Sequence, residues 1–334
     1  MDLSVLWFCL IGVLFCGFFF LEGFDYGSGI LLPFVGKNDV ERRVIFNAIG
    51  PFWDGNEVWM LTAGGAIFAA FPHWYATLFS GFYLALFLLL LALVLRGVAF
   101  EFRSKDDNPT WRAFWDWALW FGSLLPALLW GVAVANLLRG VPIDANMQFV
   151  GNFFSLLSPF TVVTGIAFVC LFTYHGALFL SMRTQGEIQQ RVQNLIPRLG
   201  LATIVTVVAM AALMLLETDI LGKFISIVAL VLAAVALIAS YVMASARRYG
   251  RAFVATALTI VFAVATVFTG LFPRVMVSSL DPAWSLTVYN ASSSVTTLTI
   301  MTIVAVIFVP IVLAYQIWTY WVFRKPVDIK DLEY

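Results

Sequence analysis

The sequence predicts an all-α polytopic membrane protein, and three observations carry that prediction. Of 334 residues, 62% are hydrophobic and only 11% are charged, where soluble domains carry about 25% charged residues. Apolar runs of spanning length recur nine times. No series of segments alternates apolar and polar residues over about ten positions, which excludes a transmembrane β-barrel.

The nine runs are 4–32, 52–71, 77–102, 113–138, 157–182, 198–216, 223–246, 252–271 and 294–322. The first lacks a basic leader and a small-residue cleavage site, so it reads as an uncleaved span rather than a signal peptide. It has about 30 apolar-biased residues where roughly 20 suffice. Tilt accounts for the excess, as does a break at Gly27, Gly29 and Pro33. The second run is the anomalous one. Its uncharged part, 58–71, is 14 residues long, about 21 Å of helix at 1.5 Å per residue, against a core about 30 Å thick. It spans only if the helix starts near Phe52, which draws Asp54, Asn56 and Glu57 into its first turn and a half. The other seven runs reach spanning length without that help, and short loops join them with no inserted soluble domain.

The basic residues orient the chain. Loops after spans one, three, five and seven hold Lys37, Arg42 and Arg43; Arg103, Lys105 and Arg112; Arg183 and Arg191; and Arg247, Arg248 and Arg251. The tail adds Arg324, Lys325 and Lys330, whereas the opposite loops hold only Arg139, Lys223 and Arg274. The positive-inside rule puts the N-terminus outside and the C-terminus in the cytoplasm, which requires an odd number of spans.

That orientation gathers carboxylates at one level. Glu22 and Asp25 lie toward the cytoplasmic end of span one, Asp54 and Glu57 open span two, and Glu101 and Lys105 close span three. Glu22/Asp25 and Asp54/Glu57 are each three residues apart, so each pair shares a helix face. Carboxylates placed so deep are costly and mark polar or proton-conducting routes. The interfacial reading has them snorkelling to headgroups or capping helices. Both readings stand on the residues alone. Gly23-x-x-x-Gly27 and Gly64-Gly65 are spaced for close helix packing, and the many tryptophans form an interfacial belt.

Ligands for a redox centre are scarce. His73 follows Pro72 in an outer turn, and His175 stands mid-span in "FTYHGALF" with no second His, Cys pair or Met beside it. Cys9, Cys16 and Cys170 lie in apolar runs and read as small core residues. No phosphate loop or zinc spacing is present, and nothing points to nucleic acid.

The segments "EGFDYGSG", "GKNDVERRVIFNAIGPFWDGNEVWMLTAGGAIFAAFP", "SGFY", "EFRSK", "RGVP", "GNFFSLLSPF", "MRTQGE" and "FPRVM…YNASSS" resemble, in order, subunit II of cytochrome bd quinol oxidase. The resemblance implies nine helices in two four-helix bundles, within 1–140 and 157–272, with a peripheral ninth helix and cytoplasmic tail at 294–334. It implies a multi-pass place in the bacterial inner membrane and a heterodimer with subunit I, leaving open a small accessory subunit. The complex oxidises quinol and reduces dioxygen to water, building a proton gradient without pumping. Two b-type haems and one d-type haem belong to subunit I, while subunit II supports assembly and proton supply and can carry a quinone on its lipid-facing side.

The family's proton route falls on Asp54 of "WDGN", Asp25 of "GFD", Glu101 before "RSK", where Asp is the usual form, and Lys105. Glu57 departs from the expected Gln and adds a carboxylate at the entrance. The short "ETDILGK" connection is similar to the cyanide-insensitive branch. Two rivals remain. A proton-coupled transporter would need polar elements near the midplane of both halves, and the second half has no acidic residue deep in a span. A purely structural scaffold would make the same carboxylates dispensable for turnover.

Overall fold

The computed structural model describes residues 2–328, 330 and 332; the end of the expected tail, at 329, 331, 333 and 334, lies outside the described residues. The first run is the unbroken helix α1 (Leu3–Val35), with Pro33 inside it. The expected break does not occur, because Pro33 sits in the last turn, where its missing N–H removes a single backbone hydrogen bond. An unforeseen helix, α2 (Asp39–Ile49), fills the connection, its first turn capped by the Asn38 side chain accepting from the Glu41 N–H at 2.9 Å.

The second run forms α3 (Trp53–Ala70), starting next to the position that the length arithmetic demanded. Span three is preceded by α4 (Pro72–Gly81), and the chain turns at Phe82 before α5 (Tyr83–Phe102). There follow α6 (Pro109–Arg139), α7 (Pro159–Arg183), α8 (Gly186–Glu217), α9 (Phe224–Ser245), α10 (Tyr249–Leu271) and α11 (Val295–Val322). Helix α8 starts twelve residues before the expected 198, since "EIQQRVQNLIP" continues the helical turn through Pro197 in a more polar segment. A capping box closes the α7 N-terminus, with Ser158 and Thr161 each accepting from the other's backbone N–H. A two-strand ladder, β1 (Arg274–Met276) with β2 (Leu286–Thr287), folds the loop before α11.

Eight of these helices are long and apolar enough to cross a membrane. Helix α3 is not among them, because Asp54, Asn56 and Glu57 occupy its first turn and a half and lower its apolar content. Helix α1 is the hub and packs on α3, α6, α7 and α10. Its contact with α7 is backbone on backbone: a Cβ at Gly27 would fall 1.8 Å from the Phe172 carbonyl oxygen. Gly64 and Gly65, expected to serve packing as well, have nothing of this chain within 4 Å of such a Cβ. Helix α11 touches α1 and α3 and leaves most of its surface open, Leu298 being its buried residue.

Candidate proton-transfer site

A buried set of ionisable groups lies between α1, α3 and α5. On α1, Glu22, Asp25 and Tyr26 fall on one face at i, i+3 and i+4, and all three are fully buried. Helix α3 presents Asn56 and Glu57 to them. Helix α5 contributes Arg96, fully buried and held by the rings of Tyr26 at 5.1 Å and Trp53 at 5.9 Å from its guanidinium carbon. Trp53 in turn stacks on Phe100 with ring centroids 4.7 Å apart. Arg96 can lie this deep because α6 passes close behind it: a Cβ at Gly122 would sit 2.7 Å from the Arg96 Cβ.

Nη1 of Arg96 donates to Glu57 Oε1 at 2.5 Å and stands 2.5 Å from Glu22 Oε1. The hydrogen-bond alignment favours Glu57. Glu22 is at ion-pair distance, yet neither of its oxygens accepts a hydrogen bond from the described residues, and Nε and Nη2 of Arg96 have no hydrogen-bond partner there either. Asn56 Nδ2 donates to Asp25 Oδ2 at 2.6 Å. Two carboxyl groups thus share one guanidinium nitrogen, and a third, Asp25, is held against the Asn56 amide beside them.

The expected site residues divide. Asp25 and Glu57 belong to this interior cluster. Asp54 is exposed on α3, on a stripe with Gly55, Val58 and Leu61 that faces away from Asn56, and it interacts electrostatically with Glu57. Glu101, at the end of α5, and Lys105, in the 3-10 turn Arg103–Lys105, are exposed too. The sequence reading missed Arg96, although a single charge in the apolar run "LLLLALVLRGVAF" is the signal expected of a buried functional ion. It also missed Asp116 of α6, which accepts from Arg103 Nε at 2.6 Å and pairs with Arg42 Nη1 at 2.7 Å. Asp39 adds bonds from Arg103 at 3.0 Å and Arg112 at 2.9 Å, fastening α2, α5 and α6 together beside the cluster.

Haem ligation finds no open donor at His175. Its Nδ1 is 2.6 Å from Thr256 Oγ1, its Nε2 is 3.2 Å from the Phe20 carbonyl, and its ring stacks on Phe253 at 4.4 Å. Cys9 is exposed and Cys16 and Cys170 are half-buried, all three free, so the expected core role does not hold for Cys9.

Eight helices long and apolar enough to cross a membrane, packed about the hub helix α1, define an integral membrane protein. The chain belongs to the family of cytochrome bd terminal oxidase subunit II, whose pattern matches residues 3–323. It is 45% identical to cytochrome bd ubiquinol oxidase subunit 2 of Bacillus subtilis, over 99% of this chain and 98% of that one. It is 38% identical to cytochrome bd-I ubiquinol oxidase subunit 2 of Escherichia coli K12, over 99% and 97%. The fold matches the bd oxidase structure from Geobacillus thermodenitrificans with a TM-score of 0.79 at 17% identity, covering 97% of this chain and all of that one. Family membership sets aside the transporter reading and makes the chain part of an oxidoreductase complex.

Proposed function

We propose that this chain is the non-haem-ligating subunit of a quinol oxidase. It supports assembly and supplies protons from the cytoplasm toward the oxygen-reducing haem in subunit I. The observation that carries the reading is the cluster itself: Glu22, Asp25 and Glu57 around Arg96, with Asp54 on the open face of the same helix. Three carboxyl groups against one cation exceed what the site can hold fully ionised. Protons therefore have several acceptors within one dry pocket, next to a carboxylate that faces outward. We place subunit I against that open α3 face, where Gly55 and Gly65 leave room for another backbone, and Glu101 and Lys105 at the cytoplasmic entrance. The haems, two b-type and one d-type, reside in subunit I, and the gradient arises from vectorial proton uptake without pumping.

The same reading treats α3 as a ninth span, short but completed by its polar turn, with the N-terminus outside. The first bundle is then α1, α3, α5 and α6, the second α7 to α10, and α11 is peripheral. The test is Asp54→Asn and Asp25→Asn in the intact complex. Turnover with quinol should fall while the reduced-minus-oxidised haem spectrum is retained. Normal turnover in both variants would leave only the scaffold reading.

A further inference from the structure

A directed chain of hydrogen bonds runs from α3 through the peripheral helix α11 and back into the buried cluster. It begins at Trp59, whose indole N–H can only donate and does so to Gln316 Oε1 at 2.9 Å. That fixes the Gln316 amide with its NH2 group toward α3, where it donates to Asn56 Oδ1 at 3.3 Å. Tyr320, one turn further along α11, donates its hydroxyl to the same oxygen at 2.8 Å. With Oδ1 claimed by two donors, the fully buried Asn56 amide has one orientation left, and its Nδ2 meets Asp25 Oδ2 at 2.6 Å. The end of α11 is itself pinned. The Tyr320 ring lies flat on Phe52, centroids 4.5 Å apart and planes within 5°. Beyond it, Arg183 Nη1 donates to the carbonyls of Phe323 and Lys325.

We infer that Gln316 and Tyr320 of α11 are positioning residues that lock the Asn56 amide with its N–H toward Asp25. The inference rests on the proton-supply reading only in making Asp25 matter for turnover. Every link points its donor toward the carboxyl group, and a flipped amide would set its oxygen against both Asp25 Oδ2 and the Leu21 carbonyl, which lies 3.5 Å from Asn56 Nδ2. Other charged or titratable groups near Asp25 are Glu22 of α1, Glu57 of α3 and Arg96 of α5. None of them constrains the amide. A helix with most of its surface open thereby acquires a task inside the protein.

Tyr320→Phe keeps the stack on Phe52 and deletes one donor; Gln316→Met keeps the volume and deletes the other. In the intact complex each should move the acid limb of the turnover–pH profile upward by about half a unit to one unit. Each should also shift the carboxyl infrared band of Asp25, assigned by its loss in Asp25→Asn, with the haem spectrum unchanged. Trp59→Phe, which removes only the anchoring donor, should give a smaller shift of the same sign. An unmoved band and limb in both α11 variants would overturn the inference. If Asp25→Asn leaves turnover intact, the proton-supply reading fails, and the infrared band alone decides the positioning role. If Tyr320→Phe loses haem, Gln316→Met and Trp59→Phe decide it.

Discussion

Nη1 of Arg96 lies 2.5 Å from a carboxylate oxygen of Glu22 on one helix and 2.5 Å from one of Glu57 on another. One nitrogen from α5 therefore ties α1 to α3 at a depth where all of Arg96 and all of Glu22 are shielded from solvent. Burying those ions is repaid only while each has its counter-charge. The contact makes α3 dependent on α5, although the two are separated in sequence by α4.

Removal of the shared cation should be costly. Arg96→Met deletes the guanidinium but keeps a long apolar stem, leaving three carboxyl groups without a cation. The expected loss is about 3 kcal/mol, read as a lowered thermal midpoint of the complex in detergent with partial loss of haem. An unchanged midpoint would mean that the cluster contributes nothing to holding the helices together. Glu57→Gln should behave oppositely. It removes one carboxylate from a set already in excess and leaves Arg96 paired with Glu22, so the stability change should stay below about 1 kcal/mol.

How much of this was readable beforehand follows from particular residues. The start of α3 at Trp53 was fixed by span length, and the acidic pairs by their three-residue spacing. Arg96 is equally visible, as a lone charge in an apolar run. The use of Asn56 is not visible in the sequence in principle. Its partners Gln316 and Tyr320 lie some 260 residues away along the chain, and no local pattern announces such a contact. Gly64-Gly65 shows the converse: its spacing predicts packing, yet a Cβ at either position meets nothing of this chain within 4 Å.

Glycines of different surroundings should respond differently to one added methyl. Gly27→Ala forces a Cβ to within 1.8 Å of a Phe172 backbone oxygen, and neither helix backbone can yield locally. The α1–α7 contact should open, with a loss of about 3 kcal/mol or more and poor assembly on a haem-spectrum assay. Gly55→Ala meets nothing within 4 Å in this chain. Any defect it causes should appear as weakened association with subunit I, measured by co-purification, and not as misfolding of this subunit.

Asp54 stands apart from the cluster in stability, while the proton-supply reading gives it a part in turnover. Its exposed carboxylate has no ion pair among the described residues, so Asp54→Asn should leave the thermal midpoint of the complex unchanged. Turnover should fall about tenfold or more, equal to about 1.4 kcal/mol in the barrier. Glu101→Gln and Lys105→Gln, at exposed positions that the same reading makes the entrance, should show weaker effects, because water can carry the proton past either one. Stopped-flow oxygen reduction and calorimetry on the same preparations separate the two quantities.

Acid should loosen the junction of α1, α2 and α8 before the spans. Glu41 of α2 pairs with Arg191 of α8 at 2.5 Å, and its other oxygen accepts from the Lys37 N–H at 2.7 Å. Arg191 reaches on to the Val35 carbonyl at 3.1 Å, so the pair joins the ends of α1, α2 and α8. Partial burial pushes the Glu41 carboxyl upward, but the bonds from Arg191 and the Lys37 backbone outweigh it and hold the group below its usual range. A carboxyl group depressed in the folded state binds its proton more readily when unfolded. Its contribution is complete above the unfolded value of about 4.3 and is lost as pH falls through the lower folded value. Being part-exposed, the pair is worth about 1 kcal/mol at most. The stability gap between the native chain and Glu41→Gln should therefore be constant above about pH 5 and close below about pH 4. Thermal denaturation of the detergent-solubilised complex across that range measures it. A gap that widened on acidification would show that Glu41 is held protonated and that Arg191 is not its counter-ion.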